Sequence, residues 1–399
     1  MIPAVHAAGD SIIRVGLVGC GGRGSGAAIN AMNADPNVRI VALSDLFDDS
    51  IQRCRTGLSK RFPEQFTVDP EMCFDGFDGY EKLMQTDIDV VLLASPPHYR
   101  PDHIESAVQH DKQIFCEKPV ATDIAGLKRV EAACEKANEK GLNIVSGLCW
   151  RYHKGLKQTV DKVLDGAIGE IRSIQVDYLT SPIWIKAKKP DETEMQYQCR
   201  NWYYYTWLSG DHIVEQTIHS LDKAMWLRGD QMPVSAVGLG GRQRRSDLTQ
   251  GNIYDHFSVV YQWDDDVKCH AYTRQMSGCF NQTEDFVYGT TGSAQLIANK
   301  IQSHSGDWQF EGESVQMHQA EQDEFFAAVA GRRDRIDNSL YMCRSTAMAI
   351  LGREATYTGK ELTYQELLQS NLDLSPEAYA FDAPAPEVKI RQPGKYKLA

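Results

Sequence analysis

The chain has 399 residues and no apolar run near the ~18–20 residues that a membrane-spanning helix needs. Its longest apolar stretches, such as Val90–Ala94, are the length of strands, so no membrane partner is expected. Ten cysteines, at positions 20, 54, 73, 116, 134, 149, 199, 269, 279 and 343, form no Cys-x-x-Cys and no close cluster. Neither a zinc ribbon nor a disulfide framework can be read from that spacing, and most of the cysteines read as small core residues. Positive charge is in deficit: 42 Lys plus Arg stand against 54 Asp plus Glu, a net charge of −12. Such a balance repels a polyanion, so nucleic acid is not an expected partner. Internal repeats and low-complexity tracts are also missing. What remains, 42% hydrophobic and 24% charged residues, is a globular composition too long for one core, which favours two domains.

The first ten residues have no cationic region and no apolar stretch, yet Ala4-Val5-His6-Ala7 has the small-x-small form of a signal cleavage site. Residues 1–11 are therefore read as an arm left by a trimmed export signal, and the alternative is a frayed end of a cytoplasmic protein. Residues 12–148 alternate short apolar runs with helical spacing: Ile12–Gly19, Val38–Leu43, Asp89–Ala94, Ile114–Cys116 and Asn143–Ser146 as strands, with helices between them. That alternation specifies a doubly wound parallel sheet in an α/β Rossmann domain. From 149 to 375 the pattern becomes β-rich, with strands predicted over Glu170–Leu179, Val234–Gly240, Tyr254–Trp263, Val267–Gln275 and Thr283–Tyr288. These form an open, mainly antiparallel sheet in a second α/β domain, with one helix over Asp211–Leu227 and two more near the end. Residues 376–399, with four prolines nearby, are expected to run extended over a surface.

Gly19-Cys20-Gly21-Gly22-Arg23-Gly24 matches G-x-G-x-x-G, follows a predicted strand and opens a predicted helix. Asp45 ends the next strand 21 residues after Gly24, the spacing of a carboxylate on an adenosine ribose. Gly19 permits the tight turn, Gly21 lets backbone approach a pyrophosphate, and Gly24 lets helix pack on strand. The helix N-terminus adds N–H donors and a positive dipole end. Asp45 repels a 2′-phosphate, favouring NAD over NADP, while Arg23 could reach a phosphate. Ser95-Pro96-Pro97-His98 and Glu117-Lys118-Pro119 both end strands at the carboxyl edge, where open α/β sheets bind ligands. A cis bond before Pro119 would aim Lys118 out of the sheet top.

The segment Asp211–Asp222 is dense in ionisable groups, and in one continuous helix Glu215 and His219 are i, i+4 neighbours. Its apolar residues tie the helix to a core, so the polar stripe is expected to line a cleft. Three zinc ligands from His212, Glu215 and His219 are the metal alternative, disfavoured because no cysteine joins them and hydride transfer needs no metal. No metal is expected. A purely structural His219 is the other alternative.

Together the glycine fingerprint, Glu117-Lys118-Pro119, Gly147–Arg151 with Tyr152, and an acid four residues before a histidine resemble the Gfo/Idh/MocA oxidoreductase family, over Arg14 to about Gly292. The resemblance implies that Lys118, Glu215 and His219 surround the hydride-transfer site. Two positions depart from the family pattern: Glu215 replaces the usual Asp, and Thr217 the usual glycine. The N-terminus also resembles exported members with twin-arginine signals, so a periplasmic location is expected.

The expected reaction is reversible hydride transfer between a sugar or glycoside carbinol and NAD, with the cofactor between the two domains. His219 removes the hydroxyl proton, assisted by Glu215, and Lys118 hydrogen-bonds the same oxygen. Arg151 and Tyr152 flank the nicotinamide end. Trp202, Tyr204, Tyr205 and Trp207 suit a carbohydrate, although half of them could simply pack. The competing readings are an NAD-dependent glycosidase of the same family and a non-catalytic binding protein, since fold alone does not separate them. Tyr203–Tyr205, His153 and Asp177 are candidates for the extra acid that a glycosidase needs. The large sheet face points to a homodimer or homotetramer.

Overall fold

The computed structural model describes residues 11–313 and 315–399, so the candidate export segment lies almost wholly outside the described residues. In chain order the first elements are β1 (Ile13–Val18), α1 (Gly22–Ala34), β2 (Val38–Asp45), α2 (Asp48–Arg61), β3 (Cys73–Asp75), α3 (Gly79–Met84), β4 (Val90–Leu93), α4 (Arg100–Gln109), β5 (Gln113–Cys116), α5 (Ile124–Glu139) and β6 (Ile144–Ser146). After them come α6 (Lys154–Leu164), β7 (Ile171–Thr180), α7 (Glu194–Arg200), α8 (Thr206–Ser209), α9 (His212–Glu215), α10 (Ile218–Leu227), β8 (Ser235–Gly241), β9 (His256–Gln262), β10 (Lys268–Gln275), β11 (Gln282–Gly289) and β12 (Gly292–Gln295). The chain finishes with β13 (Lys300–Ser303), β14 (Trp308–Gln309), α11 (Met317–Val329), α12 (Ser339–Thr358), β15 (Leu362–Thr363) and α13 (Tyr364–Gln369). Among the described residues no helix is long and apolar enough to cross a membrane.

Two compact units divide the chain. One holds residues up to Val120 with Lys128–Tyr152 and Val315–Met342; the other holds Ala121–Leu127, His153–Ser314 and Cys343–Ala399. The first unit carries a six-stranded parallel sheet in the order β3-β2-β1-β4-β5-β6, the doubly wound arrangement expected. Strand β4, Val-Val-Leu-Leu, is buried along its whole length, as a strand covered on both faces must be. The sequence pattern missed β3, whose three residues are too few to show a period.

A boundary near residue 148 also misses the return of the chain at Val315–Met342. There Phe325 and Phe326 of α11 join a core with Leu17, Leu92, Phe115 and Val145. Amphipathic spacing predicted that helix but could not say which sheet it covers.

The second unit carries a nine-stranded sheet, β14-β13-β12-β11-β7-β10-β9-β8-β15. Its central β7–β10 pair is parallel, so the sheet is mixed, while the other pairs in it are antiparallel. One face presents Ile174, Val176, Ala271, Val259 and Val287 to the core, all nearly inaccessible. The alternate face leaves Val237, Leu239, Tyr272 and Tyr288 exposed. The Pro-rich tail follows this unit in extended form. Thr193 donates to the Phe381 carbonyl (2.6 Å), Tyr254 to that of Arg391 (2.7 Å), and Gly394 N–H to that of Thr358 (2.9 Å).

Inside the second unit the Lys223 ammonium of α10 meets the Asp285 carboxylate of β11 at 2.5 Å, both side chains almost fully buried. Removing one partner strands a charge in a dry interior, which costs about 3–5 kcal/mol, whereas replacing both with apolar groups of like volume is often neutral. Lys223→Met should therefore lower unfolding free energy by about 3–5 kcal/mol in urea titrations, and Lys223→Met with Asp285→Leu should recover most of it. A double variant no better than the single one would show that the pair is not the source of the loss.

In the first unit His103 of α4 is buried, its Nδ1 3.0 Å from the Ser95 hydroxyl. Burial, with the Arg100 guanidinium adding to it, pushes this imidazole down to about 3. The folded state holds it neutral while the unfolded chain takes up a proton below about 6.5, so its contribution opposes folding as pH falls from about 6.5 toward 3. His103→Gln should flatten the loss of stability between pH 7 and pH 4.5, by at most about 1.4 kcal/mol per pH unit. Parallel pH profiles of the urea midpoint in parent and variant would contradict this.

Candidate functional site

At the carboxyl edge of the parallel sheet, β1 ends in the glycine turn. Gly19 has φ +99°, and a Cβ there would lie 2.5 Å from the Ala94 carbonyl carbon, so only glycine fits. A Cβ on Gly24 would lie 1.8 Å from the Gly19 carbonyl oxygen, which lets α1 start directly against the strand end. Gly21 and Gly22 are the opposite case: both are exposed, and a Cβ on either would meet nothing within 4 Å. The turn thus leaves bare backbone and open space at the N-terminus of a 13-residue helix, the arrangement that accepts a pyrophosphate. Asp45 closes its flank: Oδ2 accepts the Cys20 N–H (2.7 Å) and Oδ1 the Phe47 N–H (3.0 Å). These residues fit a dinucleotide.

Arg23 does not lie free beside the turn. Its Nε donates to Glu117 Oε1 at 2.5 Å, and its Nη2 is 3.9 Å from Glu321 Oε1. Glu117 is 4% exposed, and its carboxylate fills the place where Gly147 would carry a side chain, with Oε2 2.6 Å from the ideal Cβ. Lys118 is partly buried, and its peptide bond to Pro119 is cis. Buried Arg100 ties two loops of this edge together, donating to the Ser95 carbonyl (2.7 Å) and to the Pro119 carbonyl. Ser95 and His98 are buried beneath the edge, the first against His103 and the second edge-on to Tyr99; Pro96 is partly buried. Arg151 lies over the Tyr341 ring, 3.9 Å from its centroid. The Tyr152 hydroxyl donates to Asn338 Oδ1 (3.0 Å), which also accepts the Ser146 N–H. Arg100 and Asn338 were not singled out in the sequence, because their partners Pro119 and Tyr152 lie 19 and 186 residues away.

The remaining candidates lie in the second unit. The continuous helix expected over Asp211–Leu227 is broken: α9 ends at Glu215 and α10 begins at Ile218. Asp211, at φ +74°, takes the His212 N–H (2.6 Å), the Tyr254 N–H (2.8 Å) and the Tyr357 hydroxyl (2.5 Å), which anchors the first turn. The Thr217 N–H reaches back five residues to the His212 carbonyl, and its buried hydroxyl donates to Thr273 of β10 (2.9 Å). Glu215 and His219 are partly buried on either side of that break, so the i, i+4 geometry does not apply to them. A Gly-Asp pair before a short apolar run is an N-cap signal that could have revealed Asp211.

The aromatic segment divides unevenly. Tyr204, Tyr205 and Trp207 are 2–5% exposed, with the Tyr204 hydroxyl on the Ile183 carbonyl (2.8 Å) and Trp207 Nε1 on Gln198 (2.8 Å). Their rings pack the unit and offer no face to a sugar, whereas Trp202 stays partly exposed and contacts Trp184 edge-on. Buried Tyr203 accepts from Gln275 Nε2 (2.7 Å), which also donates to Gln216 (2.7 Å). Burial, and then the Glu215 carboxylate, push its phenol well up. His153 caps α6 through Nδ1, and Asp177 binds Gln175 and Gln282 on the alternate face of β7.

Residues 13–143 match the model of an oxidoreductase family with an NAD-binding Rossmann fold, and residues 156–295 match the Gfo/Idh/MocA C-terminal domain. A dTDP-3,4-didehydro-2,6-dideoxy-α-D-glucose 3-reductase of Actinomadura kijaniata is 29% identical over 171 residues, 43% of this chain and 46% of that protein. An inositol 2-dehydrogenase of Rhizobium meliloti is 26% identical over 250 residues, 63% and 65% of the two chains. A glycosyl hydrolase family 109 protein of Phocaeicola vulgatus is 28% identical over 176 residues, 43% and 32%. The alignments with the two oxidoreductases thus span about half to two thirds of those relatives' length. Among solved structures, apo scyllo-inositol dehydrogenase from Lactobacillus casei shares the fold, with a TM-score of 0.66 at 18% identity over 89% of this chain and 99% of that one. The two matched segments cover most of both units' sheets, and the chain belongs to the Gfo/Idh/MocA oxidoreductase family.

Proposed function

We propose that this protein is an NAD-dependent oxidoreductase acting on a hydroxyl-bearing carbon of a sugar or glycoside. The observation that carries the reading is the carboxyl edge of the parallel sheet. There the open Gly21–Gly22 backbone, the Asp45 carboxylate and Lys118 end strands β1, β2 and β5 of one sheet. Asp45 disfavours a 2′-phosphate, and Arg23, the cation nearest the turn, is engaged by Glu117. Both features favour NAD over NADP.

Nicotinamide, when bound, supplies the hydride acceptor and donor. The chain's own residues then manage charge and protons. Lys118 hydrogen-bonds the substrate oxygen and stabilises developing alkoxide charge, and His219 takes the hydroxyl proton. The relatives whose names include a sugar-nucleotide reductase and an inositol dehydrogenase support a polyol or sugar substrate. A second reading, NAD-dependent glycoside cleavage, has its own observation. It is that one relative is named a glycosyl hydrolase.

If the protein works outside the cytoplasm, nucleotide must stay bound between turnovers. Denaturing the purified protein and chromatographing the supernatant should yield near-stoichiometric NAD. Release of NADP would sink the choice of dinucleotide, and release of nothing would sink tight retention. Lys118→Ala and His219→Ala should each leave nucleotide affinity close to the parent's and slow single-turnover reduction of bound NAD by roughly 10²–10⁴. Glu215→Gln should cost less. Unchanged rates in both alanine variants would mean that the chemistry is elsewhere. Aglycone release from chromogenic glycosides without net NAD reduction would move the assignment to the second reading.

A further inference from the structure

Where α11 lies beneath the glycine turn, three side chains from distant parts of the chain converge. Cys149 follows β6; His318 and Glu321 sit one turn apart on α11. Cys149 Sγ is 4.0 Å from His318 Nε2, and Glu321 Oε1 is 3.4 Å from His318 Nδ1. One ligand atom from each can be chosen so that all three lie within 4.8 Å of one another. Cys149 is 1% exposed and Glu321 fully buried, while the His318 side chain keeps 27% exposure. Glu321 Oε2 is buried without a hydrogen-bond partner.

A carboxyl oxygen buried there without a hydrogen-bond partner is expensive. Arg23 does not satisfy that oxygen: its Nη2 is 3.9 Å from Oε1, the other oxygen, and its nearer partner is Glu117 at 2.5 Å. We propose that Cys149, His318 and Glu321 form a binding site for a divalent transition cation of the zinc class. One sulfur, one imidazole nitrogen and one carboxylate oxygen are the donor set of Zn²⁺ or Co²⁺, whereas Mg²⁺ and Ca²⁺ take oxygen. A tetrahedral ion with ligands at 2.0–2.3 Å holds its donors roughly 3.3–3.8 Å apart, so the cluster needs to contract by up to about 1.5 Å. Three protein ligands leave a fourth position, and the exposed edge of His318 gives it to solvent. Binding replaces the Cys149 S–H bond with a sulfur–metal bond and the Glu321 O–H bond with an oxygen–metal bond, and both protons go to the buffer; no electron moves. The site stands apart from the hydride-transfer assignment and does not depend on it.

The test is a Co²⁺ titration of chelator-treated protein carrying Cys279→Ser, which removes the exposed cysteine as a competing ligand. One equivalent should bind, with the near-ultraviolet absorption of a thiolate–cobalt bond. Cys149→Ser should abolish that band. His318→Gln, at a partly exposed position that should tolerate the change, should weaken affinity by roughly 10-fold or more. Added Zn²⁺ should displace the cobalt and slow alkylation of Cys149. Absence of the band in the folded parent, or a band that persists unchanged in both Cys149→Ser and His318→Gln, would overturn the proposal.

Discussion

The first unit hangs on one close approach, that of Gly24 to the Gly19 carbonyl. With no side chain at Gly24 the first turn of α1 sits directly against the end of β1, and its N–H groups point into the space left by Gly21 and Gly22. The position of α1 then governs α11, which packs along it; Gln319 brackets Asn30, donating to its carbonyl while accepting from its side chain (both 2.9 Å). Helix α11 in turn brings Glu321 under Arg23. A methyl group at residue 24 would therefore be felt along the whole chain of contacts from the phosphate cradle to Cys149.

Buried charge is handled by pairing in both units, in different ways. At the sheet edge Arg23, Glu117 and Glu321 form a series in which two carboxylates share one guanidinium, and burial together with Glu117 pushes the Glu321 carboxyl well up. Lys223 and Asp285 pair one to one within the second unit. Arg353, wholly buried there, uses carbonyls as well: Nη1 donates to Thr122 (2.7 Å) and Gly210 (3.0 Å), and Nε to Glu354 (2.8 Å). Each arrangement sets a carboxylate against a desolvated cation. The Arg353 bonds also hold the Gly210 end of the turn from which Asp211 starts α9.

Polarity along the sequence predicted a single helix through Asp211–Leu227, and its failure has a local cause. A helix carries a polar stripe only while its i, i+4 bonds continue, and at Thr217 the chain takes a five-residue bond and gives its hydroxyl to Thr273. Propensity does not forbid a threonine inside a helix; a partner hydroxyl on a neighbouring strand decided the break. Similarly, aromatic side chains at 202–207 look alike in sequence, and burial alone separates Trp202 from Tyr204, Tyr205 and Trp207. The register of β7 against β10 was also beyond sequence, because parallel pairing of two distant strands leaves no turn signal between them.

What the sequence by itself determined was everything set by local pattern. Continuous apolar runs such as Val90–Leu93 require a covered parallel strand, a glycine string between strand and helix requires a tight turn, and an acid at the end of the next strand requires proximity to that turn. These follow from backbone sterics and periods of a few residues, and they carried the family and the fold. Tertiary structure alone decided which groups meet: that Arg23 spends its charge on Glu117, that Tyr203 meets Gln275, and that Cys149 comes to His318 and Glu321 across almost 170 residues. Side chains reach only a few ångströms. Their partners are chosen by how helices pack on sheets, and that information is spread over every apolar residue in the core rather than written at any one position.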